Sequence, residues 1–283
     1  MGKDVADFHV ITRASWVVWI AICAGSIHLP CARQGACRNA GDARRARFRS
    51  YRVEFTSLLT RLALAPDESS GISAGVEISL PLPDGRLERF RALESRILSP
   101  AVQRMHPELH TYRAIGIDAP SLRAWLDVTV FGMRAIVFAR EGVALIDPLE
   151  RGRTDQVMSY WMSDDVFESF ECNVIESSSI GTDLPPRAVH AAGDQLRTYR
   201  FVLMATGEYT QALGGVSQAL GQMTTAMNRI NAVYERDAAV RFEIVQMMAF
   251  DNPATDPYPT NSAGSLAGTA LSSTRCSERP ATT

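Results

Sequence analysis

The side chains that are able to bind a metal ion are few in this sequence. The chain has five histidines, and one pair, His106 and His110 in the sequence HPELH, has the i, i+4 spacing that places two imidazoles on one face of a helix. Pro107 and the neighbouring Pro100 disfavour a regular helix at this point, and Glu108 occupies the third position of the motif. No third histidine follows in register. We therefore predict a surface loop at this motif, no metal ligands and no cofactor in this chain.

Other catalytic patterns are missing from the sequence as well. It contains no HExxH, no GxSxG, no GxGxxG and no phosphate-binding Walker A motif. We accordingly predict no catalytic residue. None of the cysteines stands in a CxxC pair, which argues against a zinc ribbon or a thioredoxin-type site. Cys31 and Cys37 are close enough in sequence to form a disulfide in an exported protein, but we favour unpaired thiols for all five cysteines. The cysteines are Cys23, Cys31, Cys37, Cys172 and Cys276.

The composition is that of an ordinary globular chain. The 283 residues are 46% hydrophobic and 21% charged, which excludes a disulfide miniprotein and a fully disordered protein. The 29 Lys and Arg residues nearly balance the 31 Asp and Glu residues, for a formal net charge of -2. This balance provides no overall positive field for nucleic acid, and we do not favour a nucleic-acid partner.

The two ends of the chain differ from its middle. Residues 16–29 are apolar but fewer than the roughly 20 residues that a transmembrane helix needs, so we predict no membrane span. Their length fits either the apolar region of a signal peptide or a short apolar segment that is buried or simply unstructured. Residues 33–52 are rich in arginine and poor in apolar side chains, which favours a disordered linker over a basic arm for nucleic acid or anionic lipid. Residues 259–283 are predicted to be a disordered tail.

The middle of the chain has the pattern of a β-rich domain. Residues 122–130 alternate apolar and polar side chains with a period of two, which is typical of a half-buried strand whose polar face meets solvent. Short apolar runs and turn residues on either side predict an antiparallel meander with a hairpin and one helix before it. The predicted strands are 76–80, 86–93, 122–130, 133–139 and 143–146, and the predicted helix is 57–65.

A strand, a helix and a second strand follow in the last third of the chain. Residues 196–205 and 240–250 are apolar runs, and between them apolar side chains recur at alternating spacings of three and four. Such a βαβ unit brings its two strands side by side in one sheet. The apolar positions are Val216, Leu220, Met223, Met227, Ile230 and Tyr234. The polar positions predicted to face away from them are Gln218, Gln222, Thr225, Asn228 and Arg229.

These elements predict an α+β fold with two structured parts. The βαβ unit has about 55 residues and exposed strand edges, so we expect it to be only marginally stable by itself. The predicted organisation is a leader and Arg-rich linker at 1–51, a β-rich domain at 52–165, a linker at 166–195, the βαβ unit at 196–258 and the tail at 259–283.

Long stretches of this sequence resemble one peptidase family. The sequences RTYRFVLMATGEYTQALGG, MNRINAVYERDAAVRFEIV and NPATDPYP resemble the start of the catalytic domain of bacterial reprolysin-like zinc metallopeptidases, a branch of the metzincins. Residues 80–120 resemble the prodomain that precedes this domain in the same proteins. The resemblance spans about residues 52–258.

The resemblance implies what the intact proteins do. They are secreted, they hydrolyse peptide bonds in protein or peptide substrates, and their zinc is held by HExxHxxGxxH. The chain ends before that motif, so we expect an inactive N-terminal part of a precursor. In relatives a prodomain thiolate caps the zinc, and Cys172 has the corresponding place before the catalytic domain. Glu168, Glu171 and Glu176 disfavour the thiolate there, so an incidental thiol is the competing interpretation.

Two other functions are compatible with the sequence. One is a stand-alone propeptide-like inhibitor or chaperone that binds an intact peptidase in trans. The other is a binding protein whose arginines at 33–52 contact nucleic acid or anionic lipid. The resemblance favours the peptidase precursor over both.

Overall fold

Two β-sheets of opposite kind organise the protein. The computed structural model describes residues 17–21, 47–164 and 195–257. Within them, one sheet has eight antiparallel strands and the other has three parallel strands. The α+β class predicted from the sequence is confirmed at this level.

The larger sheet is a meander with one added edge strand. Its strands are β2 (Arg49–Arg52), β3 (Val76–Pro81), β4 (Leu87–Glu94), β5 (His110–Gly116), β6 (Arg123–Thr129), β7 (Gly132–Ala139), β8 (Gly142–Pro148) and β9 (Gln156–Trp161). Strands β3 to β9 are neighbours in the sheet in the same order as in the sequence. Strand β2, which precedes them in the chain, pairs with β9. The predicted meander and hairpin are confirmed. At the hairpin turn Gly85 has φ 102°, a conformation that favours glycine after Pro83 and Asp84.

Part of the arginine-rich segment belongs to this sheet. Residues 33–52 were predicted to be a linker, but Arg49–Arg52 is a strand, and the Arg49 Nε donates a hydrogen bond to the Pro83 carbonyl at 3.0 Å. The backbone N–H and C=O groups of this short segment pair with β9. The side chains of the segment do not indicate this pairing. The prediction is therefore wrong for residues 49–52, while residues 33–46 lie outside the described residues.

Two short helices flank the sheet. Helix α1 (Phe55–Leu62) lies close to its predicted position at 57–65. Helix α2 (Pro100–Met105) was not predicted, because Pro100 was taken as a helix breaker. Proline is well tolerated in the first turn of a helix, where its missing N–H has no intrahelical partner, and the Ser99 hydroxyl accepts a hydrogen bond from the Val102 N–H at 3.4 Å.

The smaller sheet contains the predicted βαβ unit. Strands β10 (Arg197–Ala205) and β11 (Val240–Ala249) pair in parallel, and the long helix α4 (Val216–Ala238) connects them. A short helix, α3 (Gly207–Leu213), precedes α4. The predicted strand, helix and strand are thus confirmed, with α3 as an addition.

A segment from near the start of the chain completes the smaller sheet. Strand β1 (Val17–Ala21) pairs in parallel with the second edge of β10, from Val17 opposite Arg200 to Ala21 opposite Met204. Residues 17–21 of the apolar stretch are therefore part of a sheet, while residues 22–29 lie outside the described residues. In the described residues, no helix is both long enough and apolar enough to cross a membrane.

Helix α4 lies between the two sheets. One face packs against β10 and β11 in an apolar core with Met223, Met227, Phe201 and Ile244. The opposite face meets the eight-stranded sheet, whose side chains there include Trp125, Asp127 and Thr129. These three were predicted to face solvent and are buried instead, so the prediction of a half-buried strand at 122–130 is wrong. The alternating pattern identified the strand but not the helix that covers its polar face.

Candidate functional site

The two histidines of HPELH do not form a shared site. His106 follows the end of α2, and its Nδ1 lies 3.7 Å from the Glu108 carboxylate. His110 is the first residue of β5, so the predicted surface loop is wrong at this position; its Nδ1 lies 3.4 Å from Glu94. The hydrogen bond with Glu94 raises the pKa of His110. Each imidazole therefore has a separate carboxylate partner.

No metal centre is visible in the described part of the chain. Within residues 47–164 and 195–257 no three His, Cys, Asp or Glu side chains come close enough together to hold a metal ion. Cys172, the candidate cysteine switch, lies outside the described residues, as do Cys23, Cys31, Cys37 and Cys276.

The most extensive polar arrangement lies where α4 meets the eight-stranded sheet. We call it the helix–sheet contact. The residues of α4 that form it recur at spacings of four, three, four and three, which places them on one helix face. They are Gly221, Thr225, Asn228, Ala232 and Glu235. The sequence predicted that Thr225 and Asn228 face away from the core, but both are buried.

A buried carboxyl group stands at the centre of this contact. Asp127 on β6 is 1% exposed. Its Oδ2 accepts a hydrogen bond from the Thr225 hydroxyl at 2.6 Å, and its Oδ1 lies 3.4 Å from the Asn228 amide nitrogen. Burial raises the pKa of Asp127 to about 6, although the hydrogen bond from Thr225 and the nearby Arg229 oppose this shift. The carboxyl thus binds α4 through neutral polar groups.

A second carboxylate beside Asp127 binds the cations of the contact. Asp147 on β8 accepts hydrogen bonds from Arg229 of α4 at 2.7 Å and from the Tyr160 hydroxyl at 2.8 Å. Arg134 on β7 lies 3.6 Å from the same carboxylate, and it donates a hydrogen bond to Gln222 of α4 at 2.7 Å. Strands β7 and β8 therefore each contribute a side chain that binds α4 and fixes its rotation about its own axis, and Tyr160 of β9 binds the β8 side chain.

A network of ionic groups closes the far end of the contact. Arg241, at the start of β11, binds Glu235 at the end of α4 and Glu68, the first residue of a short 3₁₀ helix (Glu68–Ser70) before β3. The Arg241 and Glu235 side chains are only 7% and 4% exposed. Arg113 of β5 adds a contact with Glu68 at 3.2 Å. Burial alone would raise the pKa of Glu68, but the hydrogen bonds from Arg241 lower it, so Glu68 is a carboxylate.

Close approach of backbones completes the contact. A Cβ atom on Gly221 would lie 3.2 Å from the Thr129 Cβ and 3.2 Å from a Val130 methyl carbon, so glycine allows the start of α4 to approach β6 closely.

On the free side of β11, the Ser99 N–H donates to the Ile244 carbonyl at 2.9 Å and the Ile244 N–H donates to the Ile97 carbonyl at 2.6 Å. The chain between β4 and α2 therefore covers part of the β11 edge.

The sequence contains one signal for this contact, which the prediction missed. Gly221, Thr225, Asn228 and Ala232 are small or uncharged, and they repeat with the same period as the apolar face of α4. The solvent-exposed face of an amphipathic helix usually carries charged side chains such as Lys and Glu. A second periodic row without such residues is therefore a sign of a second packing partner.

Comparison with known protein families gives a match in the region of the smaller unit. Residues 195–281 match the family described as metallo-peptidase family M12B, reprolysin-like. The matched region begins just before β10, includes α3, α4 and β11, and confirms the resemblance seen in the sequence of this region. It continues beyond residue 258, where the sequence comparison placed the end of the resemblance. No curated protein sequence matches the chain.

Proposed function

We propose that this chain is the N-terminal part of the precursor of a secreted reprolysin-like zinc metalloendopeptidase. In this proposal the eight-stranded sheet is a prodomain and β10, α3, α4 and β11 begin the peptidase domain. The helix–sheet contact is then the contact between the two. The observation that carries the proposal is the family match over residues 195–281, together with the burial of α4 of that region against a sheet outside the match.

The described residues do not fit the zinc of the intact family. That site needs three imidazoles and a general base on one helix and its following turn. His106 and His110 each lie against a separate carboxylate, and no HExxH occurs in the sequence. We propose that these 283 residues by themselves hydrolyse no peptide bond. The substrates of the intact protein would be proteins or peptides, in keeping with the family.

The trans-acting alternative is less well supported. A stand-alone inhibitor or chaperone needs a free surface on its sheet for a separate peptidase. In this protein the polar face of β6 to β9 is occupied by α4 of the same chain, with Thr225 on Asp127 and Arg229 on Asp147. The arrangement therefore favours an intramolecular contact, as in a precursor.

The precursor proposal is tested by the coding sequence beyond this region. The three forward reading frames downstream of codon 258 are translated and searched for HExxHxxGxxH. A motif of this kind shortly downstream is the expected result. Its absence from all three frames over the length of a peptidase domain would overturn the precursor proposal and revive the stand-alone alternative.

Metal analysis of the purified chain gives a second test. We expect no stoichiometric zinc after dialysis, because the sequence lacks three convergent imidazoles. Retained zinc that is lost when His106 and His110 are both replaced by Ala would show that HPELH binds metal after all.

A further inference from the structure

The direct hydrogen-bond partners of Asp127 are neutral groups, and the carboxyl group is 1% exposed. Its Oδ2 lies 2.6 Å from the Thr225 hydroxyl oxygen, which is also 3.2 Å from the Gly221 carbonyl oxygen. A hydroxyl has one hydrogen to donate, so it serves one of these two acceptors at a time. A proton on the Asp127 Oδ2 can donate to Thr225 and leave the hydroxyl hydrogen for the Gly221 carbonyl. Burial among neutral partners favours this uncharged form of the carboxyl group.

The neighbouring amide is compatible with a proton on the Asp127 Oδ2. The Asn228 amide nitrogen lies 3.4 Å from the Asp127 Oδ1, which remains an acceptor when the proton is on Oδ2. The Asn228 Oδ1 is buried and has no hydrogen-bond partner in the described residues, and a proton on Oδ2 does not change this. The protonated carboxyl group therefore has a neutral partner at each oxygen.

The charged groups around Asp127 have other partners. Arg229 of α4 and Tyr160 of β9 donate to Asp147 of β8. Arg134 of β7 donates to Gln222 and to Thr225. In the described part of the chain Asp127 itself forms no salt bridge. The nearest cations therefore stabilise Asp147 more directly than they stabilise an ionised Asp127.

We propose that Asp127 binds a proton when the eight-stranded sheet packs against α4, and that the helix–sheet contact loosens as the pH rises from acidic to neutral. The proposal rests on the precursor function only for its biological role. There, a precursor would be held most firmly in an acidic medium and would separate more easily at neutral pH.

The direction of the pH dependence follows from linkage. The pKa of Asp127 in the folded protein is raised to about 6, above its ordinary value of 3.8. The stabilisation that the proton provides is complete below the ordinary pKa and is lost as the pH rises through the folded value. A difference of about two pKa units corresponds to roughly a 100-fold change in the folding equilibrium constant between pH 4 and pH 7.

The experiment compares the full chain with its Asp127→Asn variant. Asparagine has nearly the same shape as aspartic acid and keeps a permanent donor toward Thr225. The midpoint of urea unfolding is measured from pH 4 to pH 8 for both proteins. We expect the wild type to lose about 100-fold more in its folding constant than D127N over this range. Identical pH profiles of the two proteins would overturn the proposal.

A direct titration decides the matter even if D127N does not fold. The carboxyl carbon of Asp127 is followed by NMR in the wild-type chain labelled with ¹³C-aspartate, with the signal assigned through the conservative Thr225→Ser variant. A midpoint near pH 6 is expected. A midpoint near the ordinary value of 3.8 would overturn the proton site, while leaving the precursor proposal to its own test in the downstream coding sequence.

Discussion

Helix α4 has two buried faces that are stabilised by different kinds of contact. The face toward β10 and β11 carries Leu220, Met223 and Met227, and its partners are apolar. The face toward the eight-stranded sheet carries Gly221, Thr225 and Asn228, and its partners include Asp127 and Asp147 on β6 and β8. The first face is held by the removal of apolar surface from water, which requires no particular orientation. The second is held by hydrogen bonds and ion pairs, which fix one rotation and one register.

The comparison gives a reason to expect that the smaller unit does not open independently of the larger sheet. From sequence it had one buried helix face and open strand edges. In the structure α4 has a second partner, β1 pairs with β10, and residues 97–99 cover part of the β11 edge. Its stability is therefore expected to depend on the larger sheet, and the polar face can be broken without touching the apolar one.

The largest effect is expected at Arg241. In Arg241→Ala the Glu235 and Glu68 carboxylates lose a cation that is 7% exposed. Among the described residues they keep ion pairs with Arg113, and Glu68 keeps a hydrogen bond from the Arg96 N–H at 3.0 Å. Uncompensated buried charge makes this loss costly, so the free energy of unfolding should fall by about 3–5 kcal/mol in urea titrations. Arg153→Ala serves as control, since Arg153 pairs with Asp155 in solvent and its removal should leave stability unchanged. Similar urea midpoints for the two variants would show that the ion pairs of Arg241 do not contribute to the stability of the fold.

The next largest effect tests the apolar face. Met227 is fully buried among the side chains of β10 and β11, so Met227→Ala leaves a cavity and should cost about 3 kcal/mol. Val233→Ala on the exposed side of the same helix should cost well under 1 kcal/mol. An equal loss of free energy of unfolding in M227A and V233A would contradict the claim that this face of α4 is stabilised by apolar burial.

A smaller effect is expected where the backbones approach. Gly221→Leu places a side chain against Thr129 and Val130, where even a Cβ atom is only 3.2 Å away. The gain in helix propensity of about 1 kcal/mol is outweighed by overpacking, and the variant should be destabilised by about 1–3 kcal/mol. Ala238→Leu at the exposed end of α4 is the control. A thermal unfolding midpoint for G221L at or above that of the wild type would show that α4 does not approach β6 this closely.

The smallest effect concerns His110, which titrates beside Glu94. The pKa of His110 is raised, so this pair stabilises the fold below the ordinary pKa of histidine and the contribution disappears as the pH rises through the folded value. Both side chains are well exposed, which limits the effect to less than about 0.5 kcal/mol. His110→Gln should remove it from the pH profile. A larger change would mean that His110, and not Asp127, governs the pH response of the chain.

Local periodicity accounts for what the sequence predicted well. The strands β6 to β8, the hairpin of β3 and β4, and the order of β10, α4 and β11 all follow from spacings of two or of three and four, reinforced by turn residues such as Gly85. Strands β2, β5 and β9 and helix α2 were missed. Strand β2 depends on pairing with a strand more than 100 residues away, and α2 begins at a proline.

The site escaped prediction for a different reason. Asp127 and Thr225 lie 98 residues apart, and nothing in either local pattern indicates that they meet. A strand with alternating side chains and an amphipathic helix each have one apolar and one polar face. From a single sequence the polar face is assigned to solvent, because nothing in the local pattern shows a partner for it. Only the small or uncharged side chains of Gly221, Thr225, Asn228 and Ala232, which recur at helical spacing, hint at a partner.

Native-state hydrogen exchange on the full chain tests the central claim most directly, namely that the eight-stranded sheet and α4 form one cooperative unit. The free energies of exchange for amides in the middle of α4, at residues 220–232, are compared with those of β6 and β7. We predict equal values, because α4 can open only when both of its buried faces separate. Values for α4 lower by about 3 kcal/mol or more than those of β6 and β7 would contradict the account, since the βαβ unit would then open independently of the sheet.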